Sequence, residues 1–314
     1  MTLRKVFRHE TILALLVVIA LIVLDRQSDN FLTLDNILNQ GRLMTEVGLI
    51  AIIMTFVIVT GGIDLSVGSI LGLTAILIGV FWENVGLPLP VAIGAGLVAG
   101  TFAGFLNGII IAHFRVPALI ATLGTLALYR GIAEGVSQAR SVRGYPEWFY
   151  VLGQGEVLGV PTQLWLLGLV AITAAIVLGY TTWGRTTYAV GSNEVAARFS
   201  GLPVDWTKIA IYSASGFAAA CAGAIFVSRV STTRSDMGTG IELDAITAVV
   251  LGGASIFGGR GTIIGTLLGL ILIQALKNGL SLAGVKSDGT VVLIGAVLIL
   301  TILLSNLFHR DTNR

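Results

Sequence analysis

An acidic residue, Asp64, lies in one of the most apolar parts of the chain, within VTGGIDLSVGSILG. A carboxylate at membrane depth costs about 2.5–3.5 kcal/mol on insertion scales, which makes it a candidate ligand for a cation, a proton or a polar molecule. Alternatively, Gly61 and Gly62 end a helix at the membrane surface, and Asp64, with Ser66, caps the next helix by accepting backbone N–H groups. We favour the capping interpretation and keep the ligand role open.

A second group of acids, Asp236, Glu242 and Asp244, lies within SDMGTGIELDAITAVV. A catalytic carboxylate pair is one interpretation, but no nucleophile, general base or metal ligand accompanies these residues. The chain has three histidines and one cysteine, Cys221, and the histidines lack the spacing of metal ligands. The sequence TGIELD also fits a helix start with Thr239 as its cap. We therefore predict no enzyme activity, no metal site and no cofactor.

The composition indicates which solvent surrounds these residues. Of 314 residues, 55% are hydrophobic and 11% are charged, whereas soluble domains contain about 25% charged residues. Polar surface is too scarce to cover a soluble domain of this size, so most of the chain must contact lipid. A net charge of +2 gives no electrostatic support for a nucleic-acid partner. The sequence predicts one all-α integral membrane domain over residues 1–314.

A spanning helix needs about 20 mostly apolar residues. By that length we predict about ten spans, although the glycine-broken pieces near 61 and 253 need not be simple ones. The spans lie near 8–25, 43–60, 64–82, 89–112, 117–137, 162–180, 207–230, 240–257, 261–280 and 290–308. Basic residues precede the first span, which places the N-terminus in the cytoplasm, and ten spans place the C-terminus there too.

Polar residues and glycine breaks within the predicted spans mark a candidate path. Asn107 and Thr122 belong to a small set of intramembrane amides and hydroxyls, which line a path or simply bond between helices. The pair Gly61 and Gly62 is followed by Gly68. The pair Gly252 and Gly253 is followed by Gly259 at the same spacing. Paired glycine breaks in two halves point to the central path of transporters. The path candidates are Gly61, Gly62, Asp64, Ser66, Gly68, Asn107, Thr122, Gly252, Gly253, Gly258 and Gly259.

The segment of residues 181–206, TTWGRTTYAVGSNEVAARFSGLPVDW, lies between two spans on the predicted inner side. It contains a short helix-like piece that either docks on a cytoplasmic partner or is an ordinary amphipathic connector. The ATP-binding pattern GxxxxGK[ST] is absent from the sequence. Any ATP that energises this protein is therefore hydrolysed by another polypeptide.

Several segments together resemble the permease subunits of ribose-type ABC sugar importers. They are TFVIVTGGIDLSVGSILGLTA, FLNGIIIAHFRVPALIATLGTLALYRG, GRTTYAVGSNEVAARFSGL and GTGIELDAITAVVLGGASIFGGRGTIIGTLLG. The resemblance extends over about residues 30–305. It implies a ten-helix, type II importer fold in the bacterial inner membrane.

The resemblance also implies partners and roles. The partners are cytoplasmic ATPase subunits, a second permease subunit, a periplasmic sugar-binding protein and membrane lipid. The coupling residues are Gly191, Asn193, Glu194, Ala197, Ser200 and Gly201. The implied solute is a monosaccharide such as rhamnose, ribose or the furanosyl signal autoinducer-2, moved by alternating access. The competing hypothesis is an ion-coupled secondary transporter with Asp64 as its ion site.

Overall fold

The structure is a computed structural model that describes residues 3–138 and 140–285, together with positions 289, 292, 295, 296 and 299. Helices dominate this part of the chain. The first half contains α1 (Leu3–Asp25), α2 (Leu34–Val59), α3 (Val67–Gly79, continued by a π-helical turn Val80–Asn84), α4 (Leu89–Ala112), α5 (Ala118–Ser137) and α6 (Glu147–Gln154). An antiparallel hairpin, β1 (Glu156–Val157) and β2 (Val160–Pro161), follows. The second half contains α7 (Thr162–Tyr180), α8 (Thr182–Ser192), α9 (Glu194–Phe199), α10 (Val204–Val230), α11 (Ile241–Leu251) and α12 (Ile263–Leu282).

Seven helices of the described part are long and apolar enough to cross a membrane: α2, α3 with its π-helical turn, α4, α5, α7, α10 and α12. The all-α membrane class is confirmed, whereas the count of ten spans is not. The predicted span near 240–257 is helical only over the 11 residues of α11, about 16 Å at 1.5 Å per residue, against a core of about 30 Å. Most of the predicted span near 290–308 lies outside the described residues.

Helix α10 is the centre of the packing. It crosses α4 with the two backbones in contact: a Cβ added to Gly216 would stand 2.8 Å from the Cα of Gly104. Small residues permit such close approach between membrane helices. At its far end, Arg229 pairs at 2.7 Å with the buried carboxylate of Glu46 on α2. Helix α10 thus fixes α2 and α4 relative to each other.

The connection between α10 and α11, residues 231–240, runs antiparallel beside α3. Near one end of α3, a Cβ added to Gly79 would stand 3.1 Å from the hydroxyl of Thr233. Further along, a Cβ on Gly72 would stand 2.8 Å from the carbonyl oxygen of Met237. The glycines of α3 therefore leave room for a non-helical chain against the helix, and we call residues 231–240 the re-entrant segment.

Arg130 of α5 holds the re-entrant segment in place. Its guanidinium donates hydrogen bonds to the carbonyl oxygens of Ser235 and Met237, the latter at 2.8 Å, and to that of Gly68 at 3.3 Å. Non-helical backbone within a membrane needs such internal partners, because lipid offers none. One arginine therefore supplies donors both to α3 and to the segment beside it.

Candidate functional site

The carboxylate of Asp64 is fully buried and accepts three hydrogen bonds. One oxygen accepts the backbone N–H of Ser66 at 3.0 Å and the hydroxyl of the same residue at 2.6 Å. The other oxygen accepts the hydroxyl of Ser215 on α10 at 2.8 Å. Three donors offset part of the cost of burying the acid, because a buried polar group costs most when it lacks hydrogen-bond partners.

The capping interpretation of Asp64 is wrong: Asp64 accepts a backbone N–H, but that of Ser66 rather than one of α3 itself. The N-cap of α3 is Ser66, whose side chain makes no cap bond and instead donates to Asp64. The partner Ser215 lies 11 residues after Val204, where the 27-residue α10 begins, which is about 16 Å along that helix. Asp64 therefore lies deep among the spanning helices rather than at the membrane surface.

Three other predicted path residues, Ser66, Asn107 and Thr122, lie close to Asp64. Asn107 donates to the hydroxyl of Ser66 at 2.8 Å, and the hydroxyl of Tyr129 approaches the Asn107 oxygen at 3.5 Å. Thr122 lies 3.1 Å from the carbonyl oxygen of Ile63. The structure thus joins α3, α4, α5 and α10 through one polar network around the break after α2. We call Asp64, Ser66, Asn107, Tyr129 and Ser215 the break network.

Two tyrosines of this region were not predicted. Tyr129 donates to the carbonyl oxygen of Ala103 at 2.9 Å. The hydroxyl of the buried Tyr212 has no hydrogen-bond partner in the described part of the chain, and a Cβ added to Gly62 would overlap it. A tyrosine in an apolar run gives no sequence signal that its hydroxyl is buried, since tyrosine is also common at membrane interfaces.

The two glycine breaks share one helix-ending geometry. At the end of α2, Gly61 (φ +79°) and Gly62 donate to carbonyls three and five residues earlier, at 2.9 and 3.0 Å. At the end of α11, Gly253 (φ +91°) and Ala254 do the same, at 2.9 and 3.2 Å. This pair of bonds is the Schellman motif, which needs a left-handed residue that is usually glycine.

The register of the predicted repeat is wrong by one residue. The sequence pattern aligned Gly61 with Gly252, whereas the shared geometry aligns Gly61 with Gly253. In the structural register Gly68 no longer falls opposite Gly259. The error has a physical cause: only one position of the motif requires a left-handed backbone, and a glycine pair does not show which of its members occupies it.

The glycine breaks meet each other and the end of α8. The N–H of Gly259 donates to the carbonyl oxygen of Val59 at 2.8 Å. A Cβ added to Gly258 would stand 2.6 Å from the carbonyl oxygen of Gly191 and 3.0 Å from the nitrogen of Gly61. A Cβ on Gly191 would overlap the Val59 carbonyl. Three chain segments therefore touch through backbone alone, and we call this contact the glycine junction.

The predicted coupling residues surround α9. Asn193 is its N-cap and accepts the N–H of Ala196 at 2.9 Å. Ala197 is buried in a small apolar core of its own, and the hydroxyl of Ser200 donates to the Ala196 carbonyl at 2.9 Å. Gly201 has φ +78°, which turns the chain into α10. These residues shape a compact helical projection between α8 and α10.

Charged residues brace this projection. Glu194 pairs with Lys208 at 2.6 Å and with Arg198 at 3.4 Å, and Arg198 also pairs with Asp205 at 2.6 Å. Partial burial alone would raise the pKa of Glu194, but the hydrogen bonds and charges of Lys208 and Arg198 outweigh it and hold that pKa below its ordinary value. Glu194 is therefore ionised at neutral pH and ties α9 to the start of α10.

The acids near α11 form no catalytic pair. Asp244 pairs with Lys277 at 2.5 Å, and Asp236 pairs with Arg234 at 2.6 Å. The predicted cap Thr239 is wrong: Gly240, with φ +88°, is the N-cap of α11, and its N–H donates to Glu242 at 3.2 Å. Among the described residues, no three acids, histidines or cysteines are grouped to hold a metal ion.

Comparison with known proteins gives a family match. Residues 35–302 match the family model described as the branched-chain amino acid transport system / permease component. This covers more than half of the chain. The chain belongs to this permease family. No solved structure matches it.

Curated relatives of this permease cover nearly its whole length. It is 42% identical to the ribose import permease protein RbsC of Escherichia coli K12, over 95% of this chain and 93% of the relative. It is 41% identical to RbsC of Bacillus subtilis 168, over 91% and 89%. It is 36% identical to the autoinducer 2 import system permease protein LsrD of E. coli K12 (DH10B), over 93% and 90%. The predicted family is confirmed, and the protein is a multi-pass membrane permease.

Proposed function

We propose that this protein is the membrane-spanning subunit of a bacterial inner-membrane ABC importer for a monosaccharide. The similarity over nine-tenths of the chain to permeases named for ribose and autoinducer 2 import carries the proposal. The family description mentions branched-chain amino acids. We give the named relatives more weight for the solute, because they match this chain individually. Ribose, the furanosyl autoinducer-2 and rhamnose are the candidate sugars.

The proposed mechanism is alternating access driven by a partner ATPase. A periplasmic binding protein delivers the sugar to a path formed with a second permease subunit, and both termini lie in the cytoplasm. Helix α9 docks on the ATPase, and movement of α8 reaches the ends of α2 and α11 through the glycine junction. Tyr188 of α8 adds a second link, since its hydroxyl donates to the carbonyl oxygen of Gly261 at 2.6 Å. The permease itself performs no covalent chemistry.

The surface of the α9 projection supports docking. Phe199 is 90% exposed and Trp206 is 71% exposed, and Val195 is exposed beside them. Exposed aromatic side chains rimmed by charges are typical of protein interfaces. The ion pairs of Glu194 and Arg198 stabilise α9. The exposed side chains of Val195 and Phe199 therefore hold a fixed position on the surface.

The proposal is tested by uptake into proteoliposomes. The protein is reconstituted with the ATPase and binding protein encoded beside it, and labelled ribose, rhamnose and autoinducer-2 are supplied with ATP. We expect uptake of one of these sugars only when all components and ATP are present. Uptake by this chain alone, abolished by an uncoupler, would replace the proposal with the ion-coupled secondary transporter. Uptake of leucine in place of any sugar would contradict the proposed solute.

Phe199→Asp is expected to weaken ATPase association at least tenfold, because it places a charge in the centre of the proposed docking surface, where a buried aromatic contributes about 2 kcal/mol or more. Leu158→Asp is the matched control, since Leu158 is 89% exposed in the β1–β2 turn, away from α9. Co-purification of the ATPase with each variant measures the effect. Equal ATPase recovery with both variants would contradict the docking assignment.

A further inference from the structure

The re-entrant segment presents charged side chains outward. Arg234 and Asp236 form a two-bond pair, with nitrogen–oxygen distances of 3.0 and 2.6 Å, and their side chains are 62% and 61% exposed. Thr239 is exposed beside them. The other face of the same segment is buried against α3, where Thr233 and Met237 pack. The re-entrant segment therefore has one face that packs against α3 and one polar face that is exposed.

This polar face lies at the middle of the helical layer. Gly100 is the midpoint of α4, 11 residues after Leu89 and 12 before Ala112. A Cβ added to Gly100 would stand 2.8 Å from the hydroxyl of Thr74 on α3, which fixes the level of α3 at mid-span. Gly72, half a turn away, contacts the Met237 carbonyl. Asp236 directly precedes Met237 and is therefore at mid-depth as well.

Lipid is not a suitable neighbour for this face. A charged side chain at the centre of a membrane helix is costly to insert into lipid. Non-helical backbone at membrane depth is tolerated only inside protein or beside a water-filled cavity. The exposed pair of Arg234 and Asp236 must therefore face water or another polar surface when the importer is assembled.

We propose that Arg234, Asp236 and Thr239 form a binding station for the hydroxyl groups of the transported solute, on the path between this chain and its partner permease. The inference rests on the proposed function. The Asp236 carboxylate has two oxygens, which suit two neighbouring hydroxyls of a neutral polyhydroxy ring. The Arg234 guanidinium donates to ring or hydroxyl oxygens. The Thr239 hydroxyl donates to the Asp236 carbonyl oxygen at 2.7 Å, and its lone pairs accept from a hydroxyl of the solute.

The pairing of the two charges suits a passing solute. Arg234 and Asp236 satisfy each other when the station is empty, so neither is left as an uncompensated charge. Exposed ion pairs of this kind are weak, so that hydroxyl groups of the solute replace one partner at small cost. Nearby, one oxygen of Glu242 lies against Gly68 without a hydrogen-bond partner among the described residues. It offers a further acceptor at the same end of the segment.

Water access to the station is tested first with cysteine variants of the assembled importer in proteoliposomes. Asp236→Cys and Thr239→Cys are made in a Cys221→Ala background and treated with a charged, water-soluble thiol reagent. Ile172→Cys on α7 is the control, because Ile172 is exposed on the apolar face of a spanning helix. We expect both station cysteines to react and the control not to react. Station cysteines as unreactive as the control would overturn the proposal.

Solute contact is tested with Asp236→Asn and Asp236→Ala in the same importer. Loss of a hydrogen bond to a charged group costs about 1.5–3 kcal/mol. We therefore expect the sugar concentration at half-maximal uptake to rise about tenfold or more in Asp236→Ala, and sugar to slow the labelling of Thr239→Cys. Assembly with the ATPase and the binding protein should stay as in the wild type.

If Asp236→Ala takes up sugar like the wild type and sugar does not slow the labelling of Thr239→Cys, the binding station is overturned. Arg234 and Asp236 would then be assigned to the contact between the permease subunits. If the wild-type importer takes up no sugar at all, the proposed function fails instead. In that case the labelling comparison with Ile172→Cys still decides whether the face meets water.

Discussion

Asp64→Ala is expected to lower the free energy of unfolding by about 3 kcal/mol or more. The substitution removes the acceptor of three buried donors, from Ser66 and Ser215, and each orphaned group costs about 1–3 kcal/mol. The measurement is the temperature at which the purified protein in detergent loses its monodisperse state, which falls when the free energy of unfolding falls. We expect a large decrease in this temperature and a low yield of purified protein.

Asp64→Asn is the control for this prediction. Its amide oxygen still accepts from Ser66, and the Ser215 hydroxyl can turn to accept from the amide nitrogen. We therefore expect about 1 kcal/mol of destabilisation and sugar uptake close to that of the wild type. A stable and assembled Asp64→Asn importer that takes up no sugar would contradict the structural role and favour Asp64 as an ion or solute ligand.

Gly191→Ala is expected to reduce ATP-driven uptake at least tenfold while the ATPase still associates. The added methyl overlaps the Val59 carbonyl and the loop at Gly259, and backbone cannot move aside as a flexible side chain can. Displacement of α8 from the glycine junction breaks the proposed route from α9 to the ends of α2 and α11. Uptake per ATP hydrolysed, measured on the assembled importer, gives the effect.

Gly179→Ala is the matched control, since Gly179 lies on α7 and a Cβ there meets nothing within 4 Å. It should leave uptake unchanged. Normal uptake by Gly191→Ala would show that the glycine junction is not required for coupling. Loss of the ATPase from Gly191→Ala would show instead that the junction supports the docking surface.

The polar residues of the break network were largely predictable. Asp64, Ser66 and Asn107 interrupt apolar runs. A polar residue within an apolar run is a visible signal in the sequence, whatever the fold. Their mutual contacts were not predictable, because no local pattern states that Asn107 on α4 reaches Ser66 across 41 residues of sequence. Tyr129 was missed for the opposite reason: its ring suits an apolar helix, so its hydroxyl gave no signal.

The re-entrant segment shows where sequence patterns fail. Residues 231–240 are polar and contain two glycines, a composition that is also typical of a surface loop. Their placement beside α3 depends on Gly68, Gly72 and Gly79, which lie more than 150 residues earlier in the chain. Each of these glycines fits an ordinary membrane helix by itself. Only the fold shows that together they leave a groove for another backbone.

The bonds of Arg130 also bear on the order in which the protein is made. The carbonyl groups of Ser235 and Met237 cannot enter lipid until a donor is there to receive them. Helix α5, which carries that donor, leaves the ribosome about 100 residues before them. Chains truncated after α12 and released from the ribosome should therefore protect the re-entrant segment from protease, provided that Arg130 is present. The sequence order of the two elements thus matches the order in which membrane insertion requires them.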